Sequence, residues 1–523
     1  MKKKIAAFYT GMLLGLIIIF TNLTPLRVLD YTAISALLLA PQGVPNAAPK
    51  VIPSLREWQG NTGFFTLNSA SRISVDPSYT AQLKDTARVF HDDLLAETGY
   101  ALPLVTTTSP AVGDFFLTLN NLDSGIGNEG YLFQIGDSVV ISAHTSAGVF
   151  YGTRTALQIL LQDSTKTHIP KGTARDYPQY AERGFMLDVG RKFFPISFLE
   201  DYVKFMAWYK MNDFHIHFND NEIGGGDSPD WMHKYAAFRL DSARFPGLAA
   251  QDGSYTRQDI SQLQDIARAY AVTITPEIDA PAHDLAFTQY RPDLAGQNLS
   301  KEFLDLNNPA TYKFMNAIWD EFLPWFDSRQ VDIGADEYPQ SDADHYTQFI
   351  NTYDAYLRSK GKTVRMWGTL TKMHSNVKVN TDIVMDDWND GWAYPVDMVN
   401  QGYSIINAND NLLYIVPKAG YYHDHLDTRL LYEQWEPYIF SLSDPGLNLR
   451  PGDPHLLGGM FSEWNDKLGS IISDADVHTR VKPAMQTLSQ KLWSSTTAGM
   501  SYDQFLQLAQ IISEAPDTHL PQT

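Results

Sequence analysis

The stretch Val331-Asp332-Ile333-Gly334-Ala335-Asp336-Glu337 ends a short apolar run on two adjacent carboxylates. Neighbouring acids repel each other and lose solvation when buried, so folding gains nothing from setting them at a strand end. Split pKa values let such a pair divide acid and base work. Gly334 and Ala335 ahead of the pair allow a ligand or another strand to approach closely. Working outward, seven more short apolar segments accompany this one, most of them ending in polar or aromatic residues: 183–190, 213–220, 273–279, 364–370, 382–389, 403–410 and 456–466. Amphipathic stretches at 197–209, 257–270 and 308–326 fit between them. Eight strands with helical crossovers predict an α/β fold, a (β/α)8 TIM barrel over 179–515 with its site at the C-terminal strand ends. The spacer between the fifth and sixth strands is short, so a reduced helix is expected there.

Upstream, residues 49–178 read as a small α/β accessory domain. Runs at 115–119, 130–135 and 138–142 have strand composition, and 81–98 and 147–161 have helical periodicity. No cluster of acids or His there suggests chemistry. Residues 1–48 read as a signal peptide or N-terminal membrane anchor plus linker: Met1-Lys2-Lys3-Lys4, an apolar run at 5–20, a second at 33–40, and an Ala/Pro-rich linker at 41–49. This predicts an extracytoplasmic protein, secreted or anchored by that segment. At 523 residues, 44% hydrophobic and 12% aromatic, the chain is globular and long enough for two domains. A net charge of -20 argues against nucleic acid as a partner. Without cysteine, disulfides, thiolate metal sites and a cysteine nucleophile are excluded.

The predicted strand ends collect Asp188 and Arg191; His215, His217 and Asp220; Glu277, Asp279 and His283; Asp336 and Glu337; Trp367; Asp387 and Trp388; Asp410 with nearby Tyr414; and Trp464 with Asp466. Carboxylates with aromatic walls fit carbohydrate chemistry, where acids protonate and rings stack on sugar faces. His215 and His217 share one strand face, a spacing that binds zinc, so a metal-dependent barrel hydrolase competes. A catalytically dead sugar-binding protein is the third reading, disfavoured by the intact acid pair.

The segments 183–191 (RGFMLDVGR), 212–220 (NDFHIHFND), 276–283 (PEIDAPAH), 333–337 (IGADE) and 458–466 (GGMFSEWND) resemble, in order, the barrel motifs of glycoside hydrolase family 20, the β-N-acetylhexosaminidases. Upstream, 130–158 looks like that family's accessory domain. The resemblance implies hydrolysis of glycans bearing N-acetylhexosamine, with retention, no metal and no cofactor. The substrate's own acetamido carbonyl attacks and forms an oxazoline-type intermediate. It further implies that Asp336 orients the acetamide, that Glu337 is the acid and then the base, and that Asp220 and His283 support Glu337. Trp367, Trp388 and Trp464 are implied to box the acetamido methyl and Tyr414 to bind its oxygen. Arg183 and Asp466 are implied to hold the terminal sugar's hydroxyls. Three positions depart from the pattern: Asp332 stands where many members have His, Ala335 replaces a second Gly, and Val416 stands where an acid often follows Tyr414. The missing acid removes one acceptor that the family pattern supplies for a sugar hydroxyl. Members that release a disaccharide, the lacto-N-biosidases, are similar in this respect and form the alternative to release of single terminal GlcNAc or GalNAc.

Overall fold

The computed structural model describes residues 43–467, 472–494 and 499–521. The N-terminal basic and apolar runs expected to direct export or anchoring lie outside the described residues. Among the described residues no helix is long and apolar enough to cross a membrane.

All eight apolar segments form strands, and they pair in parallel around a closed ring. In chain order they are Glu182–Asp188, Asp213–His217, Thr273–Glu277, Gln330–Asp332, Thr363–Trp367, Val384–Asp387, Ser404–Asn407 and Leu456–Glu463. The eighth strand closes the ring on both sides, with Gly459 opposite Arg183 of the first strand and opposite Asn407 of the seventh. These strands are buried on both faces, which is why they read as near-continuous apolar runs rather than alternating ones.

The crossover helices follow the expected periodicity. Arg257–Ala269 starts with a capping box between Thr256 and Asp259 and buries Ile260, Leu263, Gln264 and Ala267, one stripe at helical spacing. The connection from Trp367 to Val384 holds only turns and no helix, the extreme of the reduction expected there.

Upstream lies a seven-stranded mixed sheet carrying two helices, Thr80–Thr98 and Ser146–Gln162. The second helix is wedged against the barrel: the Gln158 amide donates to the carbonyls of Ile52 and Trp208. Lys210, buried at the foot of the barrel, pairs with Asp176 of the sheet at 2.9 Å, and the Trp493 indole donates to the same carboxylate at 3.0 Å. A buried charge costs several kcal/mol unless it is paired and hydrogen-bonded, so these contacts fix the sheet against the barrel in one arrangement.

Candidate active site

The C-terminal strand ends open onto a pocket of about 400 Å³ that gathers Arg191, His217, Asp220, Asp279, His283, Asp336, Glu337, Trp388, Tyr414, Trp464 and Asp466. Val416, Ile223, Tyr421 and Tyr422 complete its wall and mouth. A cavity of about 370 Å³ at the opposite barrel end, near Arg268 and Arg329, has one acid, Asp327, and no acid pair.

The backbone after the fourth strand sets the acid pair. Gly334, Ala335 and Glu337 all take left-handed φ values, 66°, 64° and 48°. A Cβ at Gly334 would meet Asp279 Oδ1 at 1.8 Å, so only glycine lets that carboxylate reach in and accept from the Ala335 amide at 3.0 Å. The Tyr346 hydroxyl donates to the Ala335 carbonyl from the other side. Left-handed backbone at a non-glycine residue costs on the order of 1–2 kcal/mol and persists only where surrounding contacts over-determine it. His283 shares this conformation, with φ 56°.

Glu337 stands at the mouth with its side chain 47% exposed, whereas the Asp336 and His283 side chains are 15% exposed. His283 bridges the acids: Nδ1 lies 3.2 Å from Asp220, and Nε2 lies 3.5 Å from Glu337 and 3.7 Å from Asp336. Burial disfavours its charged form, yet the surrounding carboxylates, Asp220 first, then Asp336 and Glu337, push it well above the usual imidazole range. Glu337 is held below its ordinary value, first by the His283 imidazole beside it. Asp336 goes the other way: burial, with Glu337 and Glu277 adding against His283, pushes it up to about 6. Its Oδ1 is buried and accepts no hydrogen bond from the protein.

Beneath the pocket runs an alternating chain of acids and imidazoles. His215 Nε2 and His217 Nδ1 both lie 2.8 Å from Glu277 Oε2, and His217 Nε2 lies 2.7 Å from Asp220. Burial opposes charge here too, but mutual attraction holds Glu277 and Asp220 low and His217 high. Three clusters here bring ligand atoms close enough to hold a cation: Asp188, His217 and Asp220; His217, Glu277 and Asp279; and His215, Asp332 and Asp386. His215 and His217 each pair with acids of this chain, Glu277 and Asp220, an arrangement that gives their spacing a use other than metal binding.

The aromatic wall is continuous. Trp388 stacks on Tyr414 at 6.3 Å and 8°, and Trp464 packs 5.7 Å from Tyr414. Trp367 stands behind Trp464 and Tyr414, 1% exposed, with its indole donating to Glu277 at 2.8 Å, and it does not line the open pocket.

Arg183 requires a correction. It opens the first strand, at the barrel's N-terminal end, and its buried guanidinium grips Glu129, in a turn of the accessory domain, through Nη1 at 2.9 Å and Nη2 at 2.8 Å. It cannot hold a sugar in a pocket at the other end. Arg191, eight residues on in the same motif, is the arginine in the pocket. Its Nη1 lies 2.7 Å from Asp220, 3.1 Å from Asp188 and 3.5 Å from Asp466. Sequence reasoning gathered Arg191 but gave it no role, and it missed Tyr421, Tyr422 and Ile223. The only signal for the tyrosines was a paired aromatic in an irregular loop.

Residues 180–496 match the glycosyl hydrolase family 20 catalytic domain, and residues 48–177 match domain 2 of the same family. A lacto-N-biosidase of Bifidobacterium bifidum is 27% identical over 86% of this chain, which spans only 40% of that protein's length. Beta-hexosaminidase subunit A2 of Dictyostelium discoideum is 26% identical over 72% of this chain and 70% of its own. In fold, the family 20 β-N-acetylhexosaminidase of Streptomyces coelicolor A3(2) superposes with a TM-score of 0.74 at 21% identity, covering 92% of this chain and all of that one.

Proposed function

The chain belongs to glycosyl hydrolase family 20, and on that premise we propose that it is a retaining β-N-acetylhexosaminidase that uses its substrate's acetamido group as nucleophile. One observation carries the reading. Asp336 has a buried oxygen with no protein donor, set in an aromatic pocket beside an acid at the mouth, Glu337. That oxygen suits an amide N–H, and the rings of Trp388, Tyr414 and Trp464 suit the methyl group beside it.

In this scheme the acetamido oxygen bonds to the anomeric carbon as the glycosidic bond breaks, and Glu337 gives its proton to the leaving oxygen. Asp336 accepts the amide N–H and balances the positive charge that develops on the oxazolinium. Glu337 then takes a proton from water, whose oxygen reopens the ring with net retention. In the free enzyme Glu337 and a cationic His283 hold one proton between them. A sugar covering the mouth desolvates Glu337 and draws that proton onto it. Arg191 and Asp466 are left to meet the sugar's hydroxyls.

A second reading by the same mechanism is release of a disaccharide. The uncharged wall at Val416 and the likeness to a lacto-N-biosidase over most of the chain favour it. Incubation with chromogenic β-N-acetylglucosaminide, its galacto epimer and a lacto-N-bioside tests both. Cleavage of the simple acetamido sugars is expected. Release of an intact disaccharide with neither simple sugar cleaved selects the second reading, and cleavage of none refutes both.

A further inference from the structure

Val416 is 1% exposed and presents a hydrocarbon side chain to the pocket. The same loop returns a polar group to that wall. The Val416 amide donates to the carbonyl of His423 at 2.8 Å, which sets the neighbouring Tyr422 beside Val416. The Tyr422 ring packs edge-on against Tyr414 at 5.6 Å, and its hydroxyl donates to Asp410 Oδ2 at 2.8 Å. Asp410 follows the seventh strand, is 2% exposed, and is held by the amides of Asn389 at 2.5 Å and Asn411 at 2.8 Å. With its proton committed to a fixed carboxylate, the phenol oxygen keeps its acceptor lone pairs for a second partner. The hydroxyl also sits within the field of the active-site acids: burial first, then Asp410, Glu337 and Asp466 raise it above the usual phenol range.

We propose that Tyr422, positioned by Asp410, is a specificity-determining residue that accepts a hydrogen bond from one ring hydroxyl of the bound sugar, on the wall that Val416 leaves apolar. The proposal rests on reading this pocket as the N-acetylhexosaminide site. A sugar O–H donating to Tyr422 completes a chain of two hydroxyls ending on a carboxylate, and such charge-assisted chains are stronger than isolated neutral bonds. No covalent step passes through Tyr422. Tyr422→Phe removes the oxygen and keeps the ring against Tyr414.

The test compares wild type, Tyr422→Phe and Asp410→Asn on an aryl 2-acetamido-β-glucoside and on its 3-, 4- and 6-deoxy analogues. On the parent sugar Tyr422→Phe is expected to lose roughly five- to tenfold in kcat/KM, mostly through KM, the size of one hydrogen bond. On a single deoxy analogue it is expected to match wild type, because the partner hydroxyl is already gone. Asp410→Asn should show a smaller loss with the same analogue dependence. An equal loss on every analogue marks a merely structural tyrosine and overturns the proposal, as does no loss at all. The pocket reading is scored separately on wild type alone: if wild type cleaves none of the four sugars, that reading falls and the proposal falls with it.

Discussion

Replacing Arg183 with alanine separates a structural arginine from a sugar-binding one. The Arg183 guanidinium is buried and donates five hydrogen bonds: Nε to the Lys210 carbonyl at 2.8 Å, Nη1 to Glu129 and to the carbonyls of Tyr180 and Ala181 at 2.9, 2.9 and 3.2 Å, and Nη2 to Glu129 at 2.8 Å. Truncation leaves Glu129 with Asn212 at 3.1 Å and Tyr151 at 3.4 Å as its remaining donors. Breaking a buried ion pair from one side costs about 3–5 kcal/mol, because the other charge is left uncompensated. Glu129→Ala should cost a similar amount, and the double variant less than the sum of the two. Denaturant titration should show both midpoints falling. Initial rates measured where the variants remain folded should give KM within about twofold of the parent. Arg191→Ala should instead raise KM, because its guanidinium faces the pocket. An Arg183→Ala protein of unchanged stability whose KM rises tenfold would refute this assignment.

Asp336→Asn should trade activity for stability. Burial lifts Asp336 to about 6, so the folded protein holds that proton more tightly than the unfolded chain, and stability falls as pH rises from about 4 to 6. The variant should therefore exceed its parent by up to about 3 kcal/mol at pH 7 and match it near pH 4, while losing hydrolysis. A variant less stable than its parent at pH 7 contradicts the shift. For the parent, kcat/KM should decline as pH drops below about 6, where Asp336 becomes protonated and can no longer accept the amide. Glu337→Gln should lose roughly 10²–10⁴-fold on a poor leaving group and far less on a very good one; equal losses on both would remove its acid role. Prolonged chelation should leave activity intact, since His215 and His217 are engaged by Glu277 and Asp220. Activity lost on chelation and restored by zinc would revive the metal reading.

The barrel was legible because strands buried on both faces leave continuous apolar runs with polar ends, and all eight runs became strands. The fourth is the shortest, Gln330–Asp332, because the chain turns left-handed at Gly334 and Ala335 before the acid pair. The sequence hid half of that turn, since alanine does not advertise a positive φ. Arg183 was misplaced for a geometric reason. The motif holds two arginines, and the one that opens the strand lies roughly 17 Å of strand away from the C-terminal end, where the barrel keeps its site. His215 and His217 read equally as metal ligands or as partners for acids, and only the positions of Glu277 and Asp220 distinguish the two. Tyr421 and Tyr422 lie in a loop without periodicity, so nothing in the pattern pointed to the pocket mouth. The N-terminal runs expected to direct export or anchoring lie outside the described residues.

The central claim is that the substrate supplies the nucleophile. It is tested most directly by kcat/KM on one aryl glycoside carrying N-acetyl, N-fluoroacetyl, N-difluoroacetyl and N-trifluoroacetyl groups in turn. Each fluorine withdraws electrons from the carbonyl oxygen and weakens its attack on the anomeric carbon, while the shape bound by Trp388, Tyr414 and Trp464 changes little. If the substrate supplies the nucleophile, kcat/KM falls steeply and monotonically across the series and no sugar is ever trapped on the protein. A flat series, or a glycosyl group found covalently attached to Asp336 or Glu337, would contradict it.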